Sequence, residues 1–236
     1  MPCLTGQFLA PSELTEAERT QMLSLFSEYF ENVTRAQFER DLSEKEWVLV
    51  LRSLPAGCIK GFSTLMRLSL MVDDNPVTCF YSGDTVVHRE CWNESELARQ
   101  WGRHVFNLAE RVKSGKVYWY LISSGYKTYR FLSVFFNEFY PTYRRPTPTT
   151  VQRVLDALGD RKFRGEYDRT SGVIRLNHAT PLRPQVAELT PHRLRDPDVA
   201  YFLQANPGHG RGEQLACLAE LCPENLTAAG RRVVGL

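Results

Sequence analysis

The sequence predicts an α/β protein built on a mixed, mostly antiparallel central sheet with flanking helices and an αβ C-terminal extension. Three observations carry that expectation. The hydrophobic period changes from helical to extended at Glu46, three extended runs then follow with only short turns between them, and helical and extended patterns alternate from Asn93 onward. With 236 residues, 43% of them hydrophobic and 24% charged, the chain can close a core without disulfide or metal staples.

Residues 13–32 open with Ser12 as an N-cap candidate, Glu16 and Glu18 in an acidic first turn, and Met22, Leu25, Phe26, Tyr29, Phe30 and Val33 at helical spacing. Thr34 can cap a second helix running to Lys45, with Phe38 and Leu42 on one face. Trp47-Val48-Leu49-Val50-Leu51 is the continuous apolar run of a buried strand, and Pro55-Ala56-Gly57 turns the chain. A long strand follows from Ile59 to Leu70, then the turn Asp73-Asp74-Asn75-Pro76 and a third strand, Val77 to Val87. Ser82-Gly83-Asp84 interrupts that strand and suggests a bulge. Asn93 or Ser95 caps a long helix with Leu97, Trp101, Val105, Leu108 and Val112 on its apolar face, ended by Gly115. Val117–Ile122 is the next strand, and Tyr129–Tyr140 reads as an aromatic helix stopped by Pro141.

Arg144-Arg145-Pro146-Thr147-Pro148 resembles a linker, which divides the chain into a core, 1–145, and an extension, 146–236, packed on it. The extension is more weakly patterned. It offers a short helix at Val151–Leu158, a strand at Gly172–Leu176, a helix begun by Asp196-Pro197, and a last strand at Leu215–Ala219.

Several function classes are excluded by simple counts. Lys and Arg number 29 against 27 Asp and Glu, a net charge of +2, which argues against nucleic-acid binding by bulk electrostatics. No run approaches the ~18 apolar residues of a membrane span. Met1-Pro2-Cys3-Leu4-Thr5 lacks the basic and apolar regions of a signal peptide, so a cytoplasmic location with reduced thiols is expected. The six cysteines include no C-x-x-C pair and the five histidines no H-E-x-x-H, so no metal is expected. Cys58 and Cys79 lie in apolar runs and read as small buried hydrophobes.

The order of elements, with Trp47-Val48-Leu49-Val50, Gly61-Phe62-Ser63-Thr64-Leu65 and Gly83-Asp84-Thr85-Val86-Val87 before a long helix, resembles the GNAT acyltransferase family over residues 13–140. The resemblance implies that strands 77–87 and 117–122 splay, leaving a cleft for the pantetheine arm of acetyl-CoA or another acyl-CoA. It implies transfer of an acyl group from a thioester donor, acyl-CoA or an acyl carrier protein, to a small-molecule amine. The contrasting reading is a non-catalytic ligand- or protein-binding module, and a homodimer stays open. Val86, Val87, Arg89, Arg99 and Arg103 are the residues it places against the donor. The family's glycine-containing diphosphate loop is degenerate here: His88–Glu96 has no glycine and carries Glu90, Glu94 and Glu96.

Asp84 reads either as the carboxylate that deprotonates the amine or as a bulge residue bonded to backbone N–H groups. His88 is a second base candidate or a solvated loop histidine. Tyr129 is the closer match to the family's acid, with core packing as its other reading. Cys91, between a strand and a helix, occupies a place where a thiol pKa can fall. Asn206–Glu213 is a glycine-rich turn that fits no nucleotide fingerprint. The aromatic belt from Tyr118 to Tyr143 can be either an acyl channel or a filled core.

Overall fold

The computed structural model describes residues 3–236, with side chains from residue 4. Its strands are β1 (Cys3–Leu9), β2 (Trp47–Leu54), β3 (Ile59–Val72), β4 (Asn75–Val87), β5 (Lys116–Ser123), β6 (Tyr167–Asp168), β7 (Val173–Ile174) and β8 (Gln214–Glu220). They form one eight-stranded sheet in the order β1-β2-β3-β4-β5-β8-β7-β6. Among these pairings only β4–β5 is parallel, so the sheet is mixed and mostly antiparallel.

Helices cover both faces. On one lie α1 (Glu16–Tyr29), α2 (Arg35–Ser43) and α5 (Thr149–Lys162). On the other lie α3 (Glu96–Glu110), α4 (Tyr126–Phe135), α7 (Pro197–Ala205) and α8 (Ala228–Val234), and the short α6 (Pro191–Leu194) precedes α7. Strand alternation explains the division. Val48 and Val50 of β2 pack under α1 and α2, whereas Leu49 and Leu51 face α3. Both sets are buried, which is why β2 reads as an unbroken apolar run. No helix is long and apolar enough to cross a membrane among the described residues.

Local chemistry moves several boundaries. Thr15, not Ser12, caps α1, because its hydroxyl accepts from the Glu18 N–H while the Glu18 carboxylate accepts from the Thr15 N–H. The helix stops at Tyr29, and Asn32 takes a left-handed φ of 58°. The aromatic helix spans Tyr126–Phe135 rather than Tyr129–Tyr140. Asn225 draws the following chain away: its side chain accepts from the Glu138 N–H and donates to the Glu138 carbonyl, and Phe136 and Tyr140 then bridge Leu226 and Leu218. The helix after the linker runs to Lys162, four residues beyond Leu158. Cys58 is exposed in the β2–β3 turn, contrary to its apolar neighbourhood in the sequence, whereas Cys79 is buried.

The expected bulge is present in β4. Ser63 pairs with Thr85 and Leu65 with Ser82, so Gly83 and Asp84 stand together opposite Thr64. The extension is woven into the same sheet, since β8 pairs with β5 from Tyr118↔Glu220 to Ser123↔Leu215 and β7 and β6 continue beyond it.

Candidate active site

Strands β4 and β5 pair in parallel from Val77↔Lys116 to Ser82↔Leu121 and then part. Each keeps its outer partner past that point: β4 follows β3 to Val87, and β5 follows β8 to Ser123. The bulge at Gly83-Asp84 bends β4 where the separation begins. A cavity of about 750 Å³ fills the resulting V. Its walls include Trp101, Phe106 and Phe136 from the α3/α4 face and Phe26, Tyr81 and Phe163 from the α1/α5 face, so it opens through the sheet.

The free edge of β4 supplies donors. The His88 N–H donates to the Lys60 carbonyl at 2.7 Å, which sets the alternation of the ladder. Val86 and His88 therefore point their backbone groups at β3, and Thr85 and Val87 point theirs into the V. The Val87 carbonyl is occupied by the Trp92 indole N–H at 2.8 Å, leaving the Thr85 and Val87 N–H groups toward the cavity.

The C-terminal extension roofs the opening. Residues 177–190 run from the end of α1 to the start of α4. On the first bank, the Glu31 N–H donates to the Pro181 carbonyl at 2.8 Å and the Arg183 N–H to the Tyr29 carbonyl at 2.9 Å. On the second, the Lys127 ammonium donates to the Val186 carbonyl at 2.6 Å and the Tyr126 hydroxyl to the Glu188 carbonyl at 3.2 Å. Thr180, Leu182, Val186 and Ala187 of this strap face the cavity.

Asp84 lines the cavity, half-buried, within a charged cluster of which the sequence named only this member. Burial pushes its carboxyl up to about 6, with Lys45 and Lys162 pulling down and Asp41 pushing up. Lys45 is itself buried, which lowers its ammonium, although the Asp84 charge works in the opposite sense. Its Nζ donates to the Asp41 carbonyl at 2.6 Å, and its stem passes Gly83 so closely that a Cβ there would lie 2.8 Å from Lys45 Cε. Lys162 pairs with Glu44 at 2.5 Å. Tyr81 completes the group, its phenol held well above the ordinary range by burial and then by the Asp84 charge, so it stays a neutral donor. Lys45, Tyr81 and Lys162 had no sequence motif to announce them. Three distant elements bring them together, and only the alternation of β4 beside Asp84 hinted at Tyr81.

Other expected site residues lie elsewhere. Tyr129 is fully buried, does not line the cavity, and donates to the Pro141 carbonyl at 2.9 Å, because the earlier start of α4 turns it toward Phe139 and Phe202. His88 also lies off the cavity, with Nδ1 3.4 Å from the Glu90 carboxylate. Cys91 reaches the cavity wall, but burial raises its thiol pKa rather than lowering it. Val86 lines the cavity through its side chain while its backbone serves β3.

At the α3 end, Arg89, Arg99 and Arg103 do not line the cavity; Arg99 pairs with Glu96 at 2.5 Å, and Arg103 lies by Gly235. Asn93, Glu94 and Leu97 do line it. Glu96 is buried in the first turn of α3, where its carboxylate sits against the positive end of the helix. Gly102 serves packing: a Cβ there would meet Val234 of α8 at 2.8 Å. The cations that do line the cavity are Lys127 and Arg130 of α4 and Arg193 of α6 on this face, and Lys45 and Lys162 on the other.

The V between a parallel pair, in a mixed sheet with helices on both faces, is the arrangement that the resemblance to the GNAT family implies. No protein-family model matches the sequence, and no curated protein matches it. Among solved structures, the chain is similar to a conserved protein of unknown function from Enterococcus faecalis, at 14% identity and TM-score 0.43 over 58% of this chain. The match spans 33% of the Enterococcus chain. It is similar to glucosamine-6-phosphate N-acetyltransferase from Arabidopsis thaliana at 15% identity and TM-score 0.37, over 50% of this chain and 81% of that one. It is similar to the GNAT family N-acetyltransferase YhbS of Escherichia coli, solved with CoA, at 17% identity and TM-score 0.37, over 56% and 69% of the two chains. With every TM-score under 0.5, the reading rests on this chain's own topology.

Proposed function

We propose that the chain transfers an acyl group from a thioester donor, an acyl-CoA or an acyl carrier protein, to a small-molecule amine. The observation that carries this reading is the cavity through the splayed β4–β5 pair, with backbone donors on its free edge and Asp84 on its wall. A thioester entering from the α3/α4 face would lay its carbonyl beside the Thr85 and Val87 N–H groups, which stabilise the charge that develops on oxygen during attack. The amine enters from the α1/α2/α5 face. Asp84 is ionised above about pH 6 and takes the proton that the amine must lose, directly or through a water. Lys45 and Lys162 keep that carboxylate from rising further. The departing thiol has a pKa near that of a free cysteine, about 8.5, so the thiolate leaves without a dedicated acid. Alignment of the two reactants supplies much of the remaining rate.

The test is calorimetry with acetyl-CoA and longer acyl-CoAs, followed by transfer to a panel of amines. A thioester that binds, is turned over by the native protein, and is turned over at least about a hundredfold more slowly by Asp84→Asn supports the assignment. If no thioester of any length binds, the reading falls. Glu94 and Glu96 at the start of α3 favour a second reading, a binding module that uses the same cavity without transfer. Tight thioester binding with no turnover on any amine would decide for it.

A further inference from the structure

Two cations at the α4 end of the cavity, Lys127 and Arg193, line its wall without a carboxylate partner among the described residues. Lys127 spends one of its three donors on the Val186 carbonyl and rests its ammonium 3.7 Å from the centre of the Trp92 ring. Arg193 reaches the same wall with no side-chain hydrogen bond among the described residues. The two are near enough that the Arg193 charge adds to burial in lowering the Lys127 ammonium. Arg130, one turn along α4, also lines the cavity but is neutralised by Asp196 at 2.9 Å. Glu94 lines the cavity at the start of the α3 segment, whereas Arg89, Arg99 and Arg103 line no part of it, and Arg99 is paired with Glu96. Two neighbouring like charges held at one cavity wall repel each other, and an anion between them relieves that cost.

We propose that Lys127 and Arg193 form an anion subsite at the α4 end of the cavity that takes the phosphate of a phosphopantetheine-bearing ligand, in place of the α3 loop. The proposal rests on the acyl-transfer reading for the identity of the ligand, and on the unpaired cations alone for the charge it carries. The chemistry is common to the diphosphate of CoA and the single phosphodiester of a carrier-bound arm. Helices α4 and α6 each supply one cation, so the subsite depends on the chain after the strap, which carries α6, lying against the cavity.

Isothermal titration with inorganic pyrophosphate, CoA, 4′-phosphopantetheine and unphosphorylated pantetheine tests it. Arg193 is exposed and unbonded, so Arg193→Gln leaves the fold intact. Arg193→Gln is expected to weaken each phosphorylated probe about tenfold or more and to leave pantetheine unchanged, with Arg193→Lys recovering most of the loss. Arg99→Gln and Arg103→Gln are expected to bind like the native chain. Equal affinity of CoA and 4′-phosphopantetheine identifies the single phosphate as sufficient, and a preference for CoA identifies the diphosphate. Unchanged binding in Arg193→Gln, or a loss in Arg99→Gln or Arg103→Gln instead, overturns the subsite. Arg193-dependent binding of pyrophosphate without binding of any acyl-CoA upholds the anion subsite and removes acyl transfer. Acyl-CoA binding indifferent to Arg193 does the reverse.

Discussion

In the proposed reaction, Asp84 couples activity to stability through one proton. In the folded chain its carboxyl titrates near 6, against about 3.9 in an unfolded chain. Between those values the folded state binds the extra proton, so stability falls as pH rises from 4 to 6, and the cost is present in full above 6. Asp84→Asn should therefore stabilise the protein by about 1–3 kcal/mol at pH 7.5 and by much less at pH 4, as urea denaturation at the two pH values will show. If Asp84 is the base proposed above, the same ionisation sets the pH dependence of the rate: acyl transfer should drop about tenfold per pH unit below 6. Lys45→Met removes a nearby cation that favours the carboxylate, and should move the apparent pKa of the rate profile upward from about 6. Asp84 was visible in the sequence because glycine and aspartate interrupt a strand. Lys45 was not, since a lysine at the end of a helix looks solvated until Gly83 lets its stem pass beneath the bulge.

At the scale of elements, hydrophobic period revealed those whose burial is one-sided or complete. The run Trp47–Leu51, the long Ile59–Leu70 strand and the Asp196-Pro197 helix start all correspond to observed elements. Elements fixed by long-range partners were silent. β1 depends on β2 across the two helices between them, β6 has two residues and a single neighbour, and α8 has a short apolar face that makes sense only against α3 and α4. The donor loop was read for glycines near the phosphate. The glycine that follows that loop, Gly102, instead admits Val234, and an added side chain must push α8 away. Gly102→Leu is expected to detach α8 and lower the melting temperature by several degrees, even though leucine is the better helix former. Gly159 gives a parallel case, because a Cβ there would lie 2.4 Å from the Tyr167 ring. Gly159→Ala should cost about 1–3 kcal/mol in chemical denaturation by displacing the tyrosine whose hydroxyl bonds Asp156.

The whole molecule is organised around a sheet that its two sequence segments share. Three of the eight strands come from beyond residue 146, and β8 covers the edge of β5 with the buried residues Leu215, Ala216, Cys217 and Leu218. A fragment ending at residue 145 would leave that edge unpaired and the adjoining core open, so it should lack dispersed amide resonances and aggregate, whereas the full chain gives a cooperative transition. The linker-like Arg144–Pro148 hid this, since composition reports flexibility and not pairing. The gap between β4 and β5 also bears on the order of events in the proposed reaction. In the acyl-transfer reading proposed above, two reactants that approach from opposite faces need not displace one another, and burial raises the Cys91 thiol, which disfavours it as an acyl carrier. Initial-rate plots should then intersect rather than run parallel, and labelled thiol should not exchange into donor unless the amine is present. In the proposed transfer, a through-sheet window makes the reaction a meeting of two guests, with neither waiting for the other to leave.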